Sequence, residues 1–248
     1  MKKIIYIVLF FLAQTGLAQD AFRKSNDLYS EGKYAGAAAG YEGILKHGQE
    51  SAEVYFNLGN AYYKLGKVAP CIYNYEKALQ LNPGNKDILV NLAYAKKMII
   101  DDIRAPEQAG FSGWMSDFAG TYHYDTWAWI AVIFSFAGLL CFAGYYFARA
   151  AGVKRGFFAG IFVAVAGLLI AIFAAQFLSN TVETERPAIV FIPIAVAKAE
   201  PEATAGNAFT VHEGVKVFVL EDKGNWKKVA LADDTVGWLE SETIKELQ

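Results

Sequence analysis

Cysteine is nearly absent from this sequence: there are two in 248 residues, and they form no framework. Cys71 lies in a stretch that reads as a soluble helix, and Cys141 lies midway through an apolar run long enough to cross a membrane. One chain cannot bring the two within bonding distance. No CxxC and no cationic cluster stands beside Cys71 to lower its pKa, so it reads as a small core residue rather than a reactive thiol. Histidine is as scarce. His47, His123 and His212 fall in three different parts of the chain, which makes a poor metal site, and none is expected. An excess of one charge is missing too. The 23 basic and 25 acidic residues give a net charge of −2, with no stripe of Lys and Arg to track phosphates, which excludes nucleic acid as a partner. There is no nucleotide-binding loop and no Ser or Cys nucleophile set in a motif, so no catalytic residue and no cofactor is assigned and the chain is read as non-enzymatic.

What the chain does have is apolar residues, 54% of the total, gathered into a few long runs. That distribution predicts soluble modules joined to membrane segments. The first run, "MKKIIYIVLFFLAQTGLAQD", carries Lys2 and Lys3, an apolar stretch from Ile4 to Ala13, and small residues at Gly16 and Ala18. It reads as a secretory signal over residues 1–18, cleaved after Ala18. An uncleaved anchor is the other reading, but the apolar stretch is about half the ~20 residues a span requires. Either way, the chain from Gln19 onwards lies outside the cytoplasm.

Residues 19–104 predict a helical repeat. Without gaps, "YSEGKYAGAAAGYEGIL" (29–45) lies over "YKLGKVAPCIYNYEKAL" (63–79) at a period of 34 residues, matching Gly32 to Gly66, Ala37 to Cys71, Tyr41 to Tyr75 and Leu45 to Leu79. Each repeat is a helix pair: Leu58, Gly59 and Tyr62 on one helix pack against Cys71, Tyr75 and Ala78 on the next, and Pro83 ends the second. Tyr55, Leu58, Gly59, Tyr62, Tyr75, Ala78 and Pro83 resemble the tetratricopeptide repeat. Two full repeats, 18–51 and 52–85, are expected, with a capping helix from Lys86 to about Ile103. The resemblance implies a groove for a peptide or helix along the first helices. Here its lining would be Phe22, Asn26, Phe56, Asn60, Tyr63, Val90 and Tyr94. Repeats that clamp a terminal carboxylate use two Asn and several cations. Asn26 and Asn57 match, but Phe22, Asp87 and Asn91 stand where the cations belong, so an apolar peptide or helix fits better.

Two uncharged stretches, Thr126–Phe147 and Phe157–Leu178, are each 22 residues long, about 33 Å as helix, and predict membrane spans. The loop between them, 148–156, holds Arg149, Lys154 and Arg155 without an acid, which places it in the cytoplasm and both flanking regions outside. Trp127 and Trp129 suit the headgroup level. Gly167, Ala171 and Ala175 form a stripe of small residues, most simply for packing within the hairpin. No ionisable residue interrupts either span, so no ion path is expected. In 105–125, Phe111, Trp114, Met115, Phe118 and Tyr122 recur at helical spacing and predict an interfacial helix or one docked on the last repeat helix.

Past a linker at 179–185, residues 186–248 turn to short β-prone runs with turn signals at 212–214, 223–225 and 233–234, which predicts a small all-β barrel. "FTVHEGVKVFVLEDKGNWKKVAL" followed by "VGWLESETI" resembles bacterial SH3 domains. That resemblance implies binding of cell-wall peptides or partner proteins and makes Trp226 and Trp238 candidate ligand contacts, although Trp238 reads better as core. The fold class is therefore a multi-domain membrane protein with tetratricopeptide helices, a transmembrane hairpin and an SH3-like barrel. The whole order of modules resembles the E-type members of the Bat (Bacteroides aerotolerance) operon family. That likeness implies a two-pass bacterial inner-membrane protein with both terminal regions periplasmic. Its partners would be membrane or periplasmic proteins, including those of von Willebrand A and MoxR type, in aerotolerance or envelope stress. The function expected is that of a scaffold, with a peptidoglycan sensor as the alternative.

Overall fold

The computed structural model describes residues 19–103, 111–184 and 186–247. The predicted signal segment lies outside them. The described residues divide into two compact units, one of 19–103 and 186–247, the other of 111–184.

The first unit begins with five helices: α1 (19–30), α2 (Tyr34–Lys46), α3 (Ala52–Lys64), α4 (Val68–Leu81) and α5 (Lys86–Lys96). Their ends are written in the sequence. Ser51 caps α3, its hydroxyl accepting from the Val54 amide at 3.2 Å, and Asn85 caps α5 by accepting from Asp87 and Ile88. After α1 and α3 the chain reverses through Gly32 and Gly66, both at positive φ. In each case two amides fold back on the last turn: Lys33 to Leu28 and Gly32 to Tyr29, then Lys67 to Tyr62 and Gly66 to Tyr63. A side chain at Gly59 would sit 2.7 Å from the ring of Tyr75, so α3 and α4 approach as closely as the sequence predicted.

The first unit continues with seven strands: β1 (Pro187–Val190), β2 (Ile194–Lys198), β3 (Asn207–His212), β4 (Lys216–Lys223), β5 (Trp226–Ala230), β6 (Val236–Glu240) and β7 (Ile244–Glu246). They form one antiparallel sheet in the order β3-β2-β6-β5-β4-β1-β7. The predicted turns fall at Gly214, Gly224 and Asp234, all at positive φ. At the mouth of the sheet, Arg186 and Lys227 share the carboxylates of Asp222 and Glu246. The hydrogen bonds from Arg186 and Lys227 hold the Asp222 carboxyl down at about 2, and Arg186, the first residue described after the hairpin, is tied to two strands, β4 and β7.

Read from the sequence as a module of its own, this sheet shares a core with the repeats. Ile189 of β1 and Leu247 pack with Cys71, Ile72, Tyr75, Ile88 and Leu92, all buried. The outer side of α4 therefore faces protein rather than water, and eight of its residues are buried, Asn74 and Glu76 among them. Gly214 sits where any side chain would strike Val68 and Ile72. Glu76, 7% exposed, accepts from Lys216 at 2.8 Å and pairs with Lys96 at 3.3 Å. Burial pushes its carboxyl up, and the two ammoniums more than offset this, leaving it below its ordinary value. Asp101, beyond α5, accepts from the His212 amide at 2.9 Å and lies 3.1 Å from its ring nitrogen.

The second unit holds α6 (Phe111–Ala119), α7 (Tyr124–Phe147) and α8 (Ala151–Thr184). Two helices, α7 and the Ala151–Ser179 part of α8, are long and apolar enough to cross a membrane. They pack as a hairpin in which three glycines meet bulkier partners: Gly167 lies against Phe134, Gly144 against Phe157 and Gly160 against Cys141. The small-residue stripe is thus used inside the hairpin, and Ala171 is buried with Trp127. Two details differ from the sequence reading. Helix α8 starts at Ala151, so Lys154 and Arg155 ride on its first turns and the connection shortens to 148–150. The helix also runs on to Thr184 through the expected linker, since Pro187 is the first residue after Leu178 that cannot continue it. Trp127 and Trp129 part company as well. Trp129 is 69% exposed, whereas Trp127 is 6% exposed, its indole N–H donating to the Ala119 carbonyl at 2.9 Å as α6 folds onto the hairpin.

Candidate functional site

The repeat builds the same polar motif twice. Asn26 accepts from the Tyr41 hydroxyl at 2.5 Å and from the Asn57 amide at 3.1 Å. Thirty-four residues on, Asn60 accepts from the Tyr75 hydroxyl at 2.7 Å and from the Asn91 amide at 2.9 Å. Each network ties three successive helices together and fixes the curvature of the stack. Asn26 therefore holds the helices together, and Asn60 does so while also lining a hollow. Burial pushes the Tyr41 hydroxyl up to about 12 and that of Tyr75 further, so both stay protonated donors.

Over the second network lies a hollow of about 240 Å³ lined by Tyr29, Asn60, Tyr63, Lys64, Tyr75, Asn91 and Tyr94. Asn60, Tyr63 and Tyr94 were expected there. Tyr94 is 54% exposed and sits beneath the Lys97 ammonium at 4.8 Å. Tyr29 was missed, although it is the equivalent of Tyr63 one repeat earlier and the period carried that signal. The other predicted residues lie elsewhere. Phe56 is partly buried against the main core, 5.9 Å from the Tyr75 ring. Phe22 packs on Tyr41, and Val90 is exposed outside the hollow.

On the sheet, Trp238 is 8% exposed and belongs to the interior, while Trp226 is half-buried beside Glu240 and Glu242 in a cleft of about 420 Å³. Cys71 is fully buried, and that burial drives its thiol up to about 12, beyond the reach of thiolate chemistry at neutral pH. Among the described residues no group of His, Cys, Asp and Glu is placed to hold a metal ion.

Against this geometry, residues 52–85 match the model of the tetratricopeptide repeat family. They are α3, α4 and the turn after α4, the repeat that carries the hollow. No match was found among curated proteins. A tetratricopeptide repeat suggests a protein-interaction scaffold, and nothing in the match indicates an enzymatic family.

Proposed function

We propose that this protein is a membrane-tethered, non-enzymatic adaptor whose tyrosine-lined repeat groove docks an apolar peptide or helix of a partner protein. The observation that carries the reading is the hollow at Asn60, Tyr63 and Tyr94, walled by the Asn60–Tyr75–Asn91 network and left open within its own unit. The predicted signal and the basic connection at Arg149, Lys154 and Arg155 favour the periplasmic side of a bacterial inner membrane for both soluble parts. Their shared core supports a common side independently. Residues before and after the hairpin interdigitate, which requires an even number of crossings between them. The order of modules favours envelope partners of the Bat type, in aerotolerance or envelope stress.

Affinity capture of the full-length protein from gently solubilised membranes tests this, comparing wild type with a Tyr63→Ala, Tyr94→Ala variant. Phe56 is left intact because it also supports the core. Defined membrane proteins that co-purify with wild type and drop away from the variant are the expected result, and an unchanged set of proteins contradicts it.

The half-buried indole of Trp226 favours a second reading, in which an SH3-like sheet reads peptidoglycan. Co-sedimentation of the full-length protein with purified sacculi, lost on Trp226→Ala, is the result that reading requires.

A further inference from the structure

A second cleft, of about 470 Å³, opens on a different face of α3 from the groove, using Tyr55, Leu58 and Tyr62 in place of Asn60 and Tyr63. Its far wall comes from the sheet, through Phe191 and Lys245, so it exists only because the two parts of the unit pack together. The floor is apolar and aromatic, with Tyr73 and Phe191 meeting edge to face at 5.6 Å. Its charged groups are sorted. Glu42 on α2 and Glu50 in the turn before α3 line one side, where Glu42 accepts from the Tyr62 hydroxyl. Lys77 on α4 and Lys245 on β7 line the other, with the Lys245 ammonium 4.2 Å from the Tyr73 ring and that of Lys77 5.6 Å from the Tyr55 ring. Among the described residues Lys77, Lys245 and Glu50 form no ion pair.

We propose that this cleft binds a short peptide with free ends, its carboxylate at Lys77 and Lys245, its ammonium at Glu42 and Glu50, and an apolar side chain on the aromatic floor between. A phosphate or other simple anion would be repelled by the two carboxylates, and a simple cation by the two ammoniums. A ligand carrying both charges satisfies both walls, and the volume suits several residues rather than one. The site is separate from the groove and stands or falls without it. Because the ligand touches both the repeats and the sheet, its binding also stabilises their union by mass action.

The probe is the tripeptide Ala-Phe-Ala, titrated calorimetrically into the full-length protein in detergent micelles beside its N-acetylated and C-amidated forms. Saturable binding at one site is expected, weakened about tenfold by blocking either end. Lys245→Gln shrinks the penalty of amidation, Glu50→Gln shrinks that of acetylation, and Tyr63→Ala in the groove changes neither. Absence of saturable binding, indifference to the caps, or loss of binding with Tyr63→Ala overturns the proposal.

Discussion

Helices α2 and α4 occupy equivalent places in consecutive repeats, yet one is half open to water and the other is enclosed. Both present the same inner face, with Tyr41 matching Tyr75 and Ala37 matching Cys71. Their outer faces differ. Where α2 carries Ala39 and Glu42, both exposed, α4 carries Tyr73 and Glu76, both buried. Ala38 is replaced by Ile72, which reaches the side chains around Ile189 and Leu247 of the sheet. A repeat with a plain outer face ends in solvent, whereas one whose outer face has gained bulk is a docking surface. This chain has converted one of its two repeats into the foundation for a sheet encoded beyond the apolar hairpin.

The comparison breaks most sharply at Ile72. Ile72→Ala removes a fully buried side chain from between repeat and sheet and is expected to cost about 2–5 kcal/mol, read as a fall in melting temperature of the purified protein followed by circular dichroism. Ala39→Ser on α2 is expected to change the same reading by less than ~0.5 kcal/mol. Similar losses from the two would mean that α4 is no more enclosed than α2.

The next largest effect lies in the twin networks. Tyr75→Phe and Tyr41→Phe each delete one hydroxyl donor to an Asn oxygen, and each is expected to cost about 1 kcal/mol. Near-equality sharpens the view that the inner faces are equivalent.

The smallest effect is pH-dependent. Glu76 sits below its ordinary value of 4.5 in the folded chain, so the folded state holds its proton less tightly than the unfolded state does. Its pairing with Lys216 and Lys96 contributes fully above that ordinary value and is lost as pH falls through the folded one. A melting series from about pH 6 to about pH 3 is expected to show a decline whose steepness is reduced in Glu76→Gln. A slope that ignores Glu76→Gln would place the stabilising charges elsewhere.

Much of this was legible in the sequence. The period, the glycines at 32 and 66, the capping Ser51 and the close approach at Gly59 are local or evenly spaced signals, and the helices form where those signals put them. The strand region and its turns were legible for the same reason. The union of repeat and sheet was not, because its partners stand far apart in sequence, Ile72 and Ile189 on opposite sides of two apolar spans. One signal did point there: bulky Ile72 and Tyr73 fall where the first repeat has Ala38 and Ala39. The groove was read in part for a related reason. Spacing places Phe56 on the face of α3 that carries Asn60 and Tyr63, but only packing reveals that its ring turns towards Tyr75. Trp127 likewise looked like a headgroup anchor until α6 folded back over it.

Hydrogen exchange of the full-length protein in micelles, comparing wild type with Ile189→Ala, tests most directly whether repeat and sheet are one body. The substitution lies in β1, far in sequence from the repeats. If the core is shared, the amides of α4 lose protection along with those of β1, while α1 and α2 keep theirs. Loss confined to the strands, with α4 unchanged, would contradict the account.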